Sequence, residues 1–97
     1  MKLTIQTLQF KESDKLYNYI LDKMERLSRY AANILSADVC LKKNRSDIGK
    51  SCLCEIKLSV PGNDLFVKRN EQSYEKAIIN ATEAMQKLLR KKNQDKI

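Results

Sequence analysis

Apolar positions along the chain switch between two periods. Leu3 and Ile5 alternate with Thr4 and Gln6, the spacing of a strand with one wet face, and predict a first strand ending near Gln9. At Leu8 and Phe10 the phase breaks, so either the strand bulges or Phe10 leaves it to pack over the next helix. From Leu16 the spacing becomes helical: Leu16, Ile20, Met24, Leu27, Ala31 and Ile34 fall on one side of a helix over 14–33. Ser13 is placed as its N-cap, and Asp14 puts a negative charge in the first turn, where the helix dipole favours it.

Period two returns at Ala37, Val39 and Leu41, predicting a second strand that ends near Lys43. The polar stretch from Asn44 to Lys50, with Gly49, is a loop by composition. Cys52, Cys54, Ile56, Leu58 and Val60 then alternate with Glu55, Lys57 and Ser59, the clearest strand in the chain. Pro61-Gly62-Asn63-Asp64 is a turn, and Leu65-Phe66-Val67 a short fourth strand running into Lys68-Arg69-Asn70. Ser73 caps a second helix in which Tyr74, Ala77, Ile78, Ala81, Met85 and Leu88 form one stripe, reaching about Lys91 and fraying after Asn93. The order is β-α-β-β-β-α, with strands two to four as an antiparallel meander. A four-stranded sheet with one apolar face is satisfied by two amphipathic helices packed on that face, so the predicted fold class is α+β, a two-layer sandwich whose other sheet face is polar. Residues 1–92 make one domain and 93–97 a basic flexible tail.

Composition narrows the class. A chain of 97 residues has room for one modest core, burying about two thirds of its unfolded surface, and not for a deep substrate cleft. Two Gly and one Pro exclude collagen-like and low-complexity readings. The longest uncharged runs, Leu3 to Phe10 and Tyr30 to Ala37, are eight residues each, against the roughly 18 a membrane span needs. No membrane partner is expected. The start of the chain has no apolar signal core, which points to the cytoplasm. Cys40, Cys52 and Cys54 have no His beside them to complete a metal site and read as small buried hydrophobes.

Without histidine there is no ready base for a nucleophile, and Gly49 and Gly62 alone cannot build a phosphate loop. No enzyme is predicted, with no cofactor, metal or small-molecule substrate. The charge is more informative. Nineteen basic against twelve acidic residues give +7, and only +3 of it lies in Arg90 to Ile97. A polyanionic partner follows. Lys15, Lys23, Arg26 and Arg29 fall within roughly 120° of one another on the first helix, and Lys76, Lys87, Arg90 and Lys91 lie opposite the apolar stripe of the second. Lys42, Lys43 and Arg45 lead out of strand two, and Lys68 and Arg69 out of strand four. Acids are sparse among these positions, Asp22 and Glu83 being the main exceptions on the helices. Two such helices side by side form an electropositive track for folded RNA, with Tyr17, Tyr19 and Tyr30 as candidates to stack on bases.

The arrangement resembles the ribosome hibernation-promoting factors, or ribosome-associated translation inhibitors. Its carriers are the order of elements, the run Leu16 to Tyr30, Ala37-Asp38-Val39-Cys40-Leu41, Ser73-Tyr74-Glu75-Lys76-Ala77-Ile78, and the basic close Ala84 to Lys92. The resemblance implies binding to the small ribosomal subunit, on ribosomal RNA between head and body where messenger and transfer RNAs sit, and silencing of idle ribosomes. Lys23, Arg26, Arg29, Lys87, Arg90, Lys91 and Lys92 match the family's basic positions. Ile79 stands where the family usually has an acid, and Glu83 and Gln86 stand near positions that are often basic, so contacts differ there. The chain resembles the short class, which either silences single ribosomes or needs a second hibernation factor to pair them. Two other readings remain at this point: a double-stranded RNA-binding module, disfavoured by Glu71 and Glu75 at the start of the last helix, and a protein-interaction module acting without RNA.

Overall fold

The computed structural model describes residues 1–8, 14–30, 33–43 and 49–94. Its sheet is organised around β3 (Cys52–Val60), whose alternation is realised directly: Cys54, Ile56, Leu58 and Val60 are buried while Lys57 is exposed. On one side β3 pairs antiparallel with β2 (Ser36–Lys43), on the other with β4 (Asn63–Glu71). β1 (Lys2–Leu8) pairs parallel with β2, giving a mixed sheet in the order β1-β2-β3-β4. Parallel pairing requires a crossover, which α1 (Asp14–Ser28) supplies. The register lines up Ile5, Val39, Ile56 and Val67 across all four strands as the central row of the apolar face.

α1 and α2 (Tyr74–Gln94) both pack on that face. Ile20, Met24 and Leu27 from α1 join Ala77, Ile78, Ala81, Met85 and Leu89 from α2 in one cluster with the sheet residues. Ala77 and Ala81 are small and completely buried, which lets α2 lie close to the strands. Ser73 is its cap: the Ser73 hydroxyl accepts from the Lys76 amide at 3.2 Å and the Ser73 carbonyl from the Ala77 amide at 3.0 Å. Inside the helix the buried Thr82 hydroxyl donates to the Ile78 carbonyl at 2.9 Å, so it enters the core satisfied.

The helices run side by side in the same direction. Tyr19, early in α1, feels the charge of Glu75 at the start of α2, and Tyr30, just past α1, lies against Arg90 late in α2. Asp14 and Glu75 thus occupy the two first turns at one end of the helix layer, and Arg26 and Arg90 lie towards the other.

Three boundaries differ from expectation. α1 ends at Ser28, five residues before 33, because the Arg29 and Tyr30 amides donate three residues back, to the Arg26 and Leu27 carbonyls at 3.2 and 3.1 Å, and tighten the last turn. Ile34 still reaches the core, but from the connection to β2. β4 is nine residues long, not a short strand after a four-residue turn: Asn63 and Asp64 already pair with Val60 and Ser59. The turn is Pro61-Gly62 alone, with Gly62 at φ +84°, a value that suits glycine after proline in a type II turn. α2 stays helical to Gln94. Gln9, Phe10, Ser13, Ala31, the loop positions 44–48 and the tail 95–97 lie outside the described residues.

The other sheet face is mostly polar. Lys42 Nζ meets Glu55 Oε1 at 2.7 Å, Lys57 Nζ meets Asp64 Oδ2 at 3.6 Å, and Phe66 is 56% exposed. Leu53 departs from this: it has the parity of Glu55 and Lys57 yet is only 4% exposed. Cys40, half-buried, also lies on this side, beside Glu55 in the register.

Candidate nucleic-acid interface

The side of α1 turned towards α2 carries Tyr19, Lys23, Arg26 and Leu27, and the chain just beyond the helix adds Tyr30. Opposite them stand Ile79, Thr82, Glu83 and Gln86 of α2, enclosing a cleft of about 220 Å³ between the helices. Lys23 Nζ lies 5.4 Å from the centre of the Tyr19 ring, and the Arg90 guanidinium 5.4 Å from that of Tyr30, both within cation–π reach. Burial, with Glu75 and Asp22 nearby, raises the Tyr19 pKa and keeps its phenol protonated as a hydrogen-bond donor. Arg90 ties the basic end of α2 to the end of α1, so the C-terminal ends of the two helices bring their cations together.

This cationic surface is less free of acids than the sequence suggested. Arg26 Nε lies 3.4 Å from Asp22 Oδ2, and Arg29 Nη2 3.8 Å from Glu25 Oε1, both pairs well exposed. Sequence reasoning misses Glu25 as a neighbour, although its four-residue spacing from Arg29 is the signal that finds it. Exposed pairs of this kind hold their side chains weakly, at roughly 0 to 1 kcal/mol. A phosphate therefore competes with the carboxylates at small cost.

The remaining predicted residues do not share one surface. Lys76, Lys87 and Lys91 are exposed on α2 but turn from α1 towards the β4 edge. There Lys87 joins Phe66, Lys68, Arg69, Glu71 and Leu88 around a second groove of about 730 Å³. Arg69 Nη1 donates to the Lys68 carbonyl at 2.8 Å, so its guanidinium lies back along the strand. Lys42 is on the open sheet face, its charge engaged by Glu55, whose hydrogen bond and negative charge raise the Lys42 pKa. Lys43 is exposed at the end of β2. Arg45 lies outside the described residues, and Lys92 is placed by its backbone alone, in the last turn of α2. Tyr17 points away from the cleft, because two residues along a helix turn a side chain to the opposite side from Tyr19.

Among the described residues no cluster of His, Cys, Asp or Glu has the arrangement of a metal site, and no helix is long and apolar enough to cross a membrane. The thiols are graded by environment. Cys54 is fully buried and its pKa is pushed up to about 12 by desolvation. Cys40 is raised for the same first reason, and Cys52 leans on the Gln72 carbonyl at 3.7 Å.

The profile of the Sigma 54 modulation protein / S30EA ribosomal protein family matches residues 3–96. The chain belongs to this family. Solved structures share the fold of this S30EA family member, and two of them illustrate it. The Protein Y N-terminal domain of Thermus thermophilus superposes with a TM-score of 0.79 at 24% identity, over 94% of this chain and 98% of its own. A ribosomal subunit interface protein from Coxiella burnetii superposes with a TM-score of 0.87 at 14% identity, over 97% and 99%. No curated protein sequence matches the chain. Family membership makes this a ribosome-associated protein.

Proposed function

We propose that this S30EA family member binds the small ribosomal subunit through the cationic sides of α1 and α2, and holds idle ribosomes silent by occupying the groove used by messenger and transfer RNA. The observation that supports this reading best is the Arg90–Tyr30 contact, which joins the basic ends of two helices that run in the same direction. Lys23, Arg26, Arg29 and Arg90 are the central contacts in this reading; Lys87 and Lys91, turned towards the β4 edge, reach phosphates beyond the cleft. Phosphates are gripped by exposed cations, and Tyr30 offers a ring for a base. Inhibition is steric, acts in the cytoplasm and needs no chemical step. Pairing of ribosomes, where it occurs, calls on a second factor.

If about six to eight phosphates are neutralised, the slope of log affinity against log salt is roughly −4 to −7. Co-sedimentation with ribosomes and separated subunits across a salt series, with a messenger-RNA competitor, tests the reading. Salt-sensitive binding to the small subunit that excludes messenger supports it. Reversing Arg26, Arg29, Lys87 and Arg90 together to Glu is expected to abolish binding in a protein whose circular dichroism is unchanged. Undiminished binding by that folded variant would remove these residues from the interface.

A further inference from the structure

Four ion pairs engage Arg26, Arg29, Lys42 and Lys57. None of them involves Lys68 of β4 or Lys76, Lys87 and Lys91 of α2, which make no ion pair among the described residues. These four lysines stand where α2 meets the β4 edge, around the groove of about 730 Å³. Arg69 joins them in the lining, and the carboxylates there are Glu71 and Glu83, so cations outnumber acids on this side of the molecule. Charge of this sign, unneutralised by neighbours, selects an anionic occupant.

The spacing of the groups says which anion. Phe66 presents a ring that is 56% exposed, and Lys68 stands two residues on, on the same side of β4, about 7 Å away along the strand. On α2, Lys87 and Lys91 are one turn apart, about 6 Å. An open aromatic ring with a cation at nucleotide distance, and further cations at a regular step, is what a single-stranded nucleic acid uses: stacking for the base and positive charge for the backbone. An acidic peptide added as a fifth strand asks instead for bare edge backbone. Here Arg69 Nη1 already occupies the Lys68 carbonyl at 2.8 Å, and charged side chains along an edge oppose strand addition.

We propose that the groove between β4 and α2 binds a short single-stranded RNA segment, one base stacked on Phe66 and the backbone phosphates held by Lys68, Lys87 and Lys91. The inference takes its RNA partner from the ribosome reading and adds a second contact region to it. This region lies on the other side of α2 from the cleft of Lys23 and Arg26, and Glu83, which lines both, marks the ridge between them. α2 thus stands between two RNA segments. Asn80 offers its amide to a base edge, and Leu88, 37% exposed, adds apolar wall from α2. Because every base has a face to stack, the site discriminates weakly among sequences.

The test is fluorescence anisotropy of a labelled adenine hexaribonucleotide with the purified full chain, across a salt series and without ribosomes. The expected result is binding that weakens steeply with salt. Phe66→Thr changes an exposed position and is expected to raise the dissociation constant at least about fivefold, with circular dichroism unchanged. Lys68→Gln with Lys87→Gln is expected to raise it at least about tenfold. Arg26→Gln with Arg29→Gln, across α2, is expected to leave it within about twofold, since screening isolates the two regions. No binding up to near-millimolar protein overturns the proposal. So does an unchanged affinity in Phe66→Thr, a larger loss from the α1 pair than from the groove pair, or displacement by hexaglutamate as effective as by unlabelled RNA. Loss of hexanucleotide binding with ribosome co-sedimentation intact strikes this site alone and leaves the ribosome reading standing.

Discussion

One strand, β3, serves two environments at once, and its alternate residues show what each face of the sheet demands. Towards the helices stand Cys54, Ile56 and Leu58, all without measurable exposure. Towards the open side stand Glu55 and Lys57, held by ion pairs with Lys42 and Asp64. The helix side stabilises by excluding water, and that stabilisation scales with volume filled. The open side stabilises through charges that water already satisfies. A substitution's cost is therefore set by the parity of its position more than by its chemistry.

The largest break of this symmetry is Ile56→Ala, expected to cost about 2 to 5 kcal/mol in chemical denaturation because the cavity lies beneath both helices. Phe66→Thr on the open face, despite removing a larger side chain, is expected to stay within about 0.5 kcal/mol. Similar losses at the two sites would end the distinction between the faces.

Cys40 and Cys54 stand on opposite faces, and alkali separates them. Cys54 keeps its proton in the native state until about pH 12, whereas an unfolded thiol releases it above its ordinary value of 9.0. Above that value the unfolded chain binds fewer protons than the native one, so stability falls as pH rises, by up to about 1.4 kcal/mol per pH unit for this group. Cys54→Ala is expected to lose this part of the decline, so its deficit against the parent narrows above pH 9.0. With Ellman's reagent the half-buried Cys40 reacts in the native protein, and Cys54 only on unfolding.

The smallest expected effect concerns Lys42. Its pKa is raised, foremost by the hydrogen bond to Glu55, so the pair's contribution is fully present below the unfolded lysine value and is lost as pH climbs through the folded one. Lys42→Gln is expected to lower the denaturation midpoint by a constant small amount through neutral pH, with the difference closing in strong alkali. A difference that widens there instead would mean the pair is not what Lys42 contributes.

These contrasts are partly legible in the amino-acid sequence. β3 and most of the apolar stripe of α2 announce themselves because burial on one face leaves a strict period, although the stripe closes on the buried Leu89 and not on Leu88, which is 37% exposed; Ser73 marks its helix because an orphan amide needs a partner. β4 reads short because its charged residues face solvent at a sheet edge, where pairing places no demand on polarity. The end of α1 reads long because Ile34 keeps the helical period while lying in a connection. Leu53 shows the limit of parity: its spacing assigns it to the wet face, and burial there depends on packing that no local period encodes. At the candidate interface, helical spacing finds the cations but not which side of α2 each one takes, since that depends on where α1 lies.

The shared direction of α1 and α2 has a consequence for how the molecule travels. With carboxylates in both first turns and arginines towards both C-terminal ends, side-chain charge and peptide dipoles do not reinforce one another; the cations offset the negative helix ends and leave the acidic end partly neutralised. The helix layer keeps a positive end, where Arg26 and Arg90 stand, while Lys15 and Lys76 offset Asp14 and Glu75 at the other. In the field of a polyanion a helix layer charged at one end experiences torque before contact, within a Debye length or two.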